Sequence, residues 1–223
     1  MTFSTEWEVL YRANTHLSIW PWSDLVSYVH RYARPSAGFN RVLELGCGAG
    51  ANIPLFLSLK ADYWSIEGSP AIVESVLARY PELAGRIMTG DFTVSLPFTG
   101  PFDLVVDRIS LAHNSTEAML HTLSMIFSLL RPGGKFIGID WFSTEHQDSQ
   151  LGDPVDTHTR KNMPAHSSLA GTGVVHFCDQ QHITHLLESS GFKIERLEHK
   201  QSDVKIPANL PRLANWNFVA VKP

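Results

Sequence analysis

From Arg41 onward, short apolar runs alternate with stretches of helical period. The runs 41–45, 62–66, 86–88, 102–106 and 135–139 are rich in apolar residues without strict in-out alternation, as strands covered on both faces are. The second closes on Glu67, the fourth on Asp107-Arg108 and the fifth on Asp140-Trp141. Between them a helix is predicted over about 51–59. A second opens with Ser69 as cap and Pro70 in its first turn, and carries Ile72, Val73, Val76 and Leu77 on one face. A third has Asn114 as cap, with Glu117 three residues on as in a capping box. It runs to Leu130, where Arg131-Pro132-Gly133-Gly134 stops it. Strands alternating with helices predict an α/β domain whose parallel sheet is covered on both sides.

The rhythm fails in three places. Ahead of the first strand lies a leader, 1–38, rich in aromatics: Trp7, Tyr11, Trp20, Trp22, Tyr28 and Tyr32. A helix is expected from Ser23 as N-cap through Leu25, Val26, Val29 and Tyr32, stopping before Pro35, whereas 16–22, beginning at His16, has no helical period and reads as a shaped loop. After the fifth strand, 142–176 is polar, carries Gly, Pro and four histidines, and shows no clear period. A stretch that long, placed beyond the carboxyl end of a strand, is read as a substrate-facing insertion. Finally, a helix over 179–190 ends at Gly191, and strands over 192–198 and 216–221 follow with only the Pro-containing connection 200–215 between them. Two strands without an intervening helix predict an antiparallel hairpin at the sheet edge.

Size and charge narrow the possibilities. The 223 residues suffice for one α/β domain, here 39–223 behind the leader, and leave little room for a separate substrate domain. No apolar run approaches the roughly 18–20 residues of a membrane span, and the first residues lack the basic start and apolar core of a signal peptide. A cytoplasmic protein is expected. The net charge of −4, with no basic cluster longer than Arg160-Lys161, argues against nucleic acid as partner. Cys47 and Cys178 form no spaced pair and are expected as reduced thiols.

The candidate chemistry centres on Val42-Leu43-Glu44-Leu45-Gly46-Cys47-Gly48-Ala49-Gly50-Ala51-Asn52, an apolar strand ending at an acid and running through three alternating glycines into a helix. Such a turn lets a ligand press against bare backbone at a helix start. Two readings fit. Gly46-x-Gly48-x-x-Ala51, with Glu67 lying 21 residues after Gly46, fits a dinucleotide fingerprint. Alternatively, Glu44-x-Gly46-x-Gly48-x-Gly50 resembles the class I S-adenosylmethionine (SAM) methyltransferases. The C-terminal hairpin favours this second reading, because that family ends its doubly wound, Rossmann-like seven-stranded sheet in the order 3-2-1-4-5-7-6 with strand 7 antiparallel. Glu67-Gly68-Ser69, Gly90-Asp91-Phe92 and Leu130 to Lys135 also fall where the family places its later motifs.

The resemblance implies roles. Glu44, Gly46, Gly48 and Gly50, with Cys47 and Asn52 in the same loop, would cradle the methionine portion of SAM. Glu67, beside Gly68 and Ser69, would take both ribose hydroxyls, which an acceptor-only carboxylate does well. Asp91 would take the adenine amino group with Phe92 at its edge, and Asp107 with Arg108 would line the floor beneath the sulfonium. By analogy with leaders in this family, Tyr11, Ser18 and Trp20 would form a lid. His113, just after the fourth strand, is the candidate base, because histidine titrates near neutrality. Asp140 is a second candidate base or orienting group, and His158 with Arg160 is the pair in the insertion best placed to be tested. Taken singly, His146, His158, His166 and His176 each read as surface residues.

His182 and His185, spaced i, i+3 on the last helix, could share a face as metal ligands, yet Ile183, Leu186 and Leu187 mark the buried face and leave both at its edge. No metal is expected. The resulting reading is a SAM-dependent methyltransferase, with S-adenosylhomocysteine as product, acting on a small polar acceptor. The hydroxyl of a sugar, nucleotide sugar or glycan is favoured, the sugar by a resemblance of 16–26 to methyltransferases of bacterial surface-sugar pathways. The alternatives are an N-methyltransferase, a nicotinamide oxidoreductase and a SAM-binding protein without catalysis.

Overall fold

The computed structural model describes residues 5–13, 15, 17–33, 41–207 and 212–223. His16, Pro35 and part of the connection 200–215 lie outside them.

The elements run α1 (Thr5–Arg12), α2 (Ser23–Tyr32), β1 (Arg41–Leu45), α3 (Ile53–Ser58), β2 (Asp62–Glu67), α4 (Pro70–Arg79), β3 (Ile87–Thr89), β4 (Phe102–Arg108), α5 (Thr116–Leu129) and β5 (Leu130–Phe142). Three short strands follow: β6 (Asp153–Pro154), β7 (Thr159–Lys161) and β8 (Val175–His176). The chain closes with α6 (Gln180–Ser189), β9 (Lys193–Ser202) and β10 (Leu213–Val221). The main sheet has the order β3-β2-β1-β4-β5-β10-β9. β1 lies parallel between β2 and β4, while β10 runs antiparallel to both β5 and β9. This is the predicted order, with β10 and β9 as the last two strands in space.

The pleat divides the core in two. Val42 of β1 faces α2, α3 and α4, packing with Leu25, Val29, Ile53, Phe56 and Val76. Its neighbours Leu43 and Leu45 face α5 and α6, packing with Met119, Leu123, Ile126, Ile183 and Leu186. Each such side chain contributes about 1.5–3 kcal/mol on burial, and both faces need covering. That is why β1 and β4 read as continuous apolar runs.

Several local details differ from expectation. Ser23 is the first residue of α2 rather than its cap; Trp22 holds that place without a side-chain hydrogen bond. Asn114 does not cap α5. A 3-10 turn over Ser110–His113 intervenes, Asn114 donates its amide to the Ser110 and Leu111 carbonyls of that turn, and Ser115 caps the helix through Ala118 N–H. α1 had no sequence signal. The insertion is not structureless: β6, β7 and β8 form a small antiparallel sheet. Among the described residues no helix is long and apolar enough to cross a membrane.

Candidate active site

The glycine turn leaves β1 with positive φ at Gly46, Gly48 and Gly50. Space as well as φ demands glycine at Gly46, since an added Cβ would sit 2.2 Å from Ser110 Oγ. Gly50 faces the other way, against Ile53 and Val76, and shapes the turn without lining the site. Behind the turn, Glu44 is buried and accepts from Asn52 Nδ2 at 2.7 Å and Tyr63 OH at 2.5 Å. Burial pushes its carboxyl up to about 7, against the pull of those two donors. Asn52 in turn accepts from the Trp22 N–H at 3.3 Å, tying the leader to the loop.

Glu67, at the end of β2, reaches back to the turn. Its two oxygens accept from Gly48 N–H and Ser69 N–H, each at 2.9 Å, and burial raises its pKa. Tyr11 approaches from α1, its hydroxyl 3.3 Å from where a Cβ on Gly48 would lie, and its pKa is raised by burial and by Glu67. After β3, one oxygen of Asp91 accepts from Thr93 N–H and Thr93 Oγ, at 2.8 and 2.6 Å. The other oxygen is buried without a partner. An orphaned buried carboxylate oxygen costs free energy unless a donor arrives.

These groups border a cavity of about 450 Å³ at the carboxyl ends of the parallel strands, within the usual range for a small-molecule site. Its opposite wall begins after β4. Ile109 there has φ +69, which a β-branched residue adopts only under constraint. The kink brings Ser110 Oγ to Gly46 O at 3.3 Å and turns His113 into the cavity wall. His113 is nearly buried, edge-on to Trp7 and Phe142, and its Nδ1 lies 2.9 Å from Val174 O. A carbonyl only accepts, so Nδ1 carries a proton, and in the neutral ring Nε2 is then the acceptor nitrogen. Asn114, Phe142, Ser168, Leu169 and Thr172 complete this wall.

The cavity gathers Tyr11, Ser18, Glu44, Gly46, Cys47, Gly48, Asn52, Glu67, Gly68, Asp91, Phe92, Arg108 and His113 from the residues singled out in the sequence. Others fall elsewhere. Trp20 is 74% exposed and outside the cavity; Trp22 lines the cavity instead, its ring 3.5 Å from the Arg108 guanidinium carbon. Ser69 caps α4 and supports Glu67 from behind. Asp107 is fully buried below the floor, accepting from Trp141 Nε1 and Leu111 N–H, and burial raises it to about 7. Asp140 lies outside the lining and pairs with Arg108 at 3.0 Å, opposing the burial that lowers the arginine's pKa. His158 lies away from the cavity, its ring stacked on His182 at 3.6 Å, and Arg160 donates to Ser149 O. His146 and His176 are buried rather than on the surface, His166 and His185 are exposed, and His182 is half-buried. Burial lowers His176 to about 3 and His182 to about 4, so both are neutral at pH 7. Trp7, Trp22, Ser110, Ser168 and Thr172 were missed, because only the folded chain brings them to one cavity.

Residues 6–197 match the family model of a methyltransferase domain. No curated protein sequence matches significantly. Among solved structures, a SAM-dependent methyltransferase from Methanosarcina mazei superposes with a TM-score of 0.66 at 16% identity, covering 87% of this chain and 96% of its own. A SAM-bound amino pentose methyltransferase from Micromonospora echinaspora gives 0.59 at 18% identity over 100% and 98% of the two chains. A glycopeptide N-methyltransferase in complex with SAM gives 0.62 at 19% identity, over 90% and 93%. The family match spans most of the chain, the sheet ends in the antiparallel β10, and the glycine turn stands at the end of β1; the chain belongs to the class I SAM-dependent methyltransferases.

Proposed function

We propose that the protein methylates a small polar acceptor, with the hydroxyl of a sugar, nucleotide sugar or glycan as the favoured class. The observation that carries this reading is the two-sided cavity, with acids and bare backbone on one side and the oriented His113 imidazole on the other. When bound, SAM supplies an electrophilic methyl group on a sulfonium. Gly46 and Gly48 hold its methionine portion with Glu44 and Asn52 behind them. Glu67 accepts from the ribose hydroxyls, and the unpartnered oxygen of Asp91 accepts from the adenine amino group. Tyr11, Ser18 and Trp22 close over the donor as a lid. His113 Nε2 takes the proton of the acceptor hydroxyl, while Val174 O holds the ring in the required tautomer.

Polar side chains from the insertion, Ser168 and Thr172, support a hydroxylated acceptor. The amino pentose enzyme shows that sugars are acceptors on this fold, and the glycopeptide enzyme that nitrogen is too. Nitrogen is therefore the second reading, and it needs less from His113. The test is to incubate the protein with SAM and panels of hydroxylated and aminated small molecules, following S-adenosylhomocysteine release and product mass. An O-methylated sugar is expected. SAM binding without turnover on any acceptor would leave a binding protein, and thermal stabilisation by NADH but not by SAM would overturn the assignment of donor.

A further inference from the structure

We propose that His176 Nε2, His182 Nε2 and Cys178 Sγ form a site for a zinc-class divalent ion that fastens the insertion to α6. Among the described residues these are the group of His, Cys, Asp and Glu side chains set to hold an ion, their ligand atoms lying within 4.8 Å of one another. None of the three residues lines the cavity. Two elements converge at the site. His176 ends β8, and Cys178 stands two residues on, bridged to Ser143. Cys178 is held by its backbone: its N–H donates to Phe142 O, and its carbonyl accepts from Thr144 N–H and Trp216 Nε1. His182 sits in the first turn of α6, its N–H bonded to the capping Asp179 carboxylate at 2.7 Å.

The imidazoles are already oriented as ligands. The hydroxyl of Thr159 in β7 engages His176 Nδ1 at 2.9 Å, which turns Nε2 toward His182. The two Nε2 atoms then face each other at 3.0 Å. Two ligand nitrogens on a tetrahedral ion, with bonds of about 2.0–2.1 Å, stand about 3.3 Å apart, so the two imidazoles need little rearrangement, while Cys178 Sγ, within 4.8 Å of them, closes on the ion as it binds. Pairs of this kind, with the other ring nitrogen fixed by a hydrogen bond, are how proteins set histidine ligands. His158 stacks on His182 with the rings 3° from parallel. An ion lies in the plane of the ring it binds, so His158 steadies His182 without joining it, and water takes the fourth place. Two imidazoles and one thiolate suit zinc, and they exclude magnesium and calcium, which take oxygen. On binding, the thiol proton leaves to solvent. His176 keeps its proton on Nδ1, facing Thr159 Oγ, and His182 shifts its own proton from Nε2 to Nδ1, so each imidazole stays neutral.

Val174, two residues before His176, holds His113 in its tautomer. The ion would therefore brace the acceptor side of the cavity from outside. The experiment uses the untagged full chain, stripped with chelator and dialysed against Co2+, a spectroscopic substitute for zinc. One equivalent is expected, with the visible bands of a tetrahedral site and a near-ultraviolet thiolate charge-transfer band. Cys178→Ser should lose the charge-transfer band, and His182→Gln, which removes a ligand, should weaken binding by more than the roughly 10–100-fold that losing an outer hydrogen-bond partner of a ligand costs, while His185→Gln, exposed on the same helix, should bind as wild type. Zinc should raise the melting temperature of the wild type but not of His182→Gln, which changes a half-buried side chain and stays informative if Cys178→Ser misfolds. No retained Co2+ in the wild type, or binding that His182→Gln leaves unchanged, would overturn the site.

Discussion

The two ends of the cavity are built in different ways. At the donor end, Glu44, Gly46, Gly48, Glu67 and Asp91 come from the tips of β1 and β2 and the turn after β3, and each is fixed by a neighbour a short distance along or across the sheet. At the acceptor end, Trp7, His113, Phe142, Ser168 and Thr172 come from α1, a 3-10 turn, the end of β5 and the insertion. The first end is a product of the parallel sheet; the second depends on how segments far apart in sequence are held together. On the proposed reading, changes at the donor end should act on SAM affinity, and those at the acceptor end on turnover.

The most severe break is Gly46→Ala. Its methyl group would meet Ser110 Oγ at 2.2 Å and Cβ at 2.6 Å, in a backbone already at φ +62. SAM binding by calorimetry should be lost altogether. Next, His113→Gln should lower kcat by about 10²–10⁴-fold with SAM affinity unchanged; a matching loss of affinity would erase the division between the ends. Glu67→Gln should weaken SAM binding by about 10–100-fold, the loss of a charge-assisted pair of hydrogen bonds, with kcat at saturating SAM preserved.

The smallest effect is in the pH dependence of stability. The Glu44 pKa rises from 4.5 to about 7 on folding, so the folded state binds its proton more tightly than the unfolded chain. The stability from this group is complete below pH 4.5 and is lost as pH rises through about 7. Asp107 acts in the same sense from 3.8 to about 7, while His176 and His182, lowered on folding, act in the opposite sense below pH 6.5. Subtracting the melting curves of Glu44→Gln isolates the first group: the wild type should lose more stability than the variant between pH 5 and 7.5. Gln can replace the carboxylate because Tyr63 OH can accept where it now donates.

The glycine turn and the acids after β1 and β2 were legible in the sequence because their residue types are dictated locally, while their assignment to SAM comes from the family resemblance. Positive φ demands glycine at Gly46 and Gly48, and a strand-end acid marks Glu67. The sheet order was legible for a related reason, since a hairpin without a helix can only add an antiparallel edge. Roles that depend on which way a side chain turns were not. Trp20 and Trp22 are indistinguishable by spacing, and in the folded chain Trp22, its N–H tied to Asn52, lies over Arg108 while Trp20 stands in solvent. Asp107 and Asp140 stand at strand tips where a ligand acid belongs, yet Trp141 and Leu111 claim the first and Arg108 the second. His176 reads as one polar residue of a polar stretch, and its burial is set by a small sheet whose strands of two or three residues are too short to leave a period.

The Trp22 anchor has an optical consequence. Its indole lies against a guanidinium, and its backbone is tied to the loop that Glu44 and Asn52 support. Tryptophan emission responds to nearby charge and to solvent, so a ligand that moves the loop changes the light this ring gives off. A titration with S-adenosylhomocysteine should shift the intrinsic fluorescence of the wild type, and Trp22→Phe should remove most of the shift while Trp20→Phe keeps it. The protein thus carries a built-in gauge of its donor site that needs neither label nor acceptor.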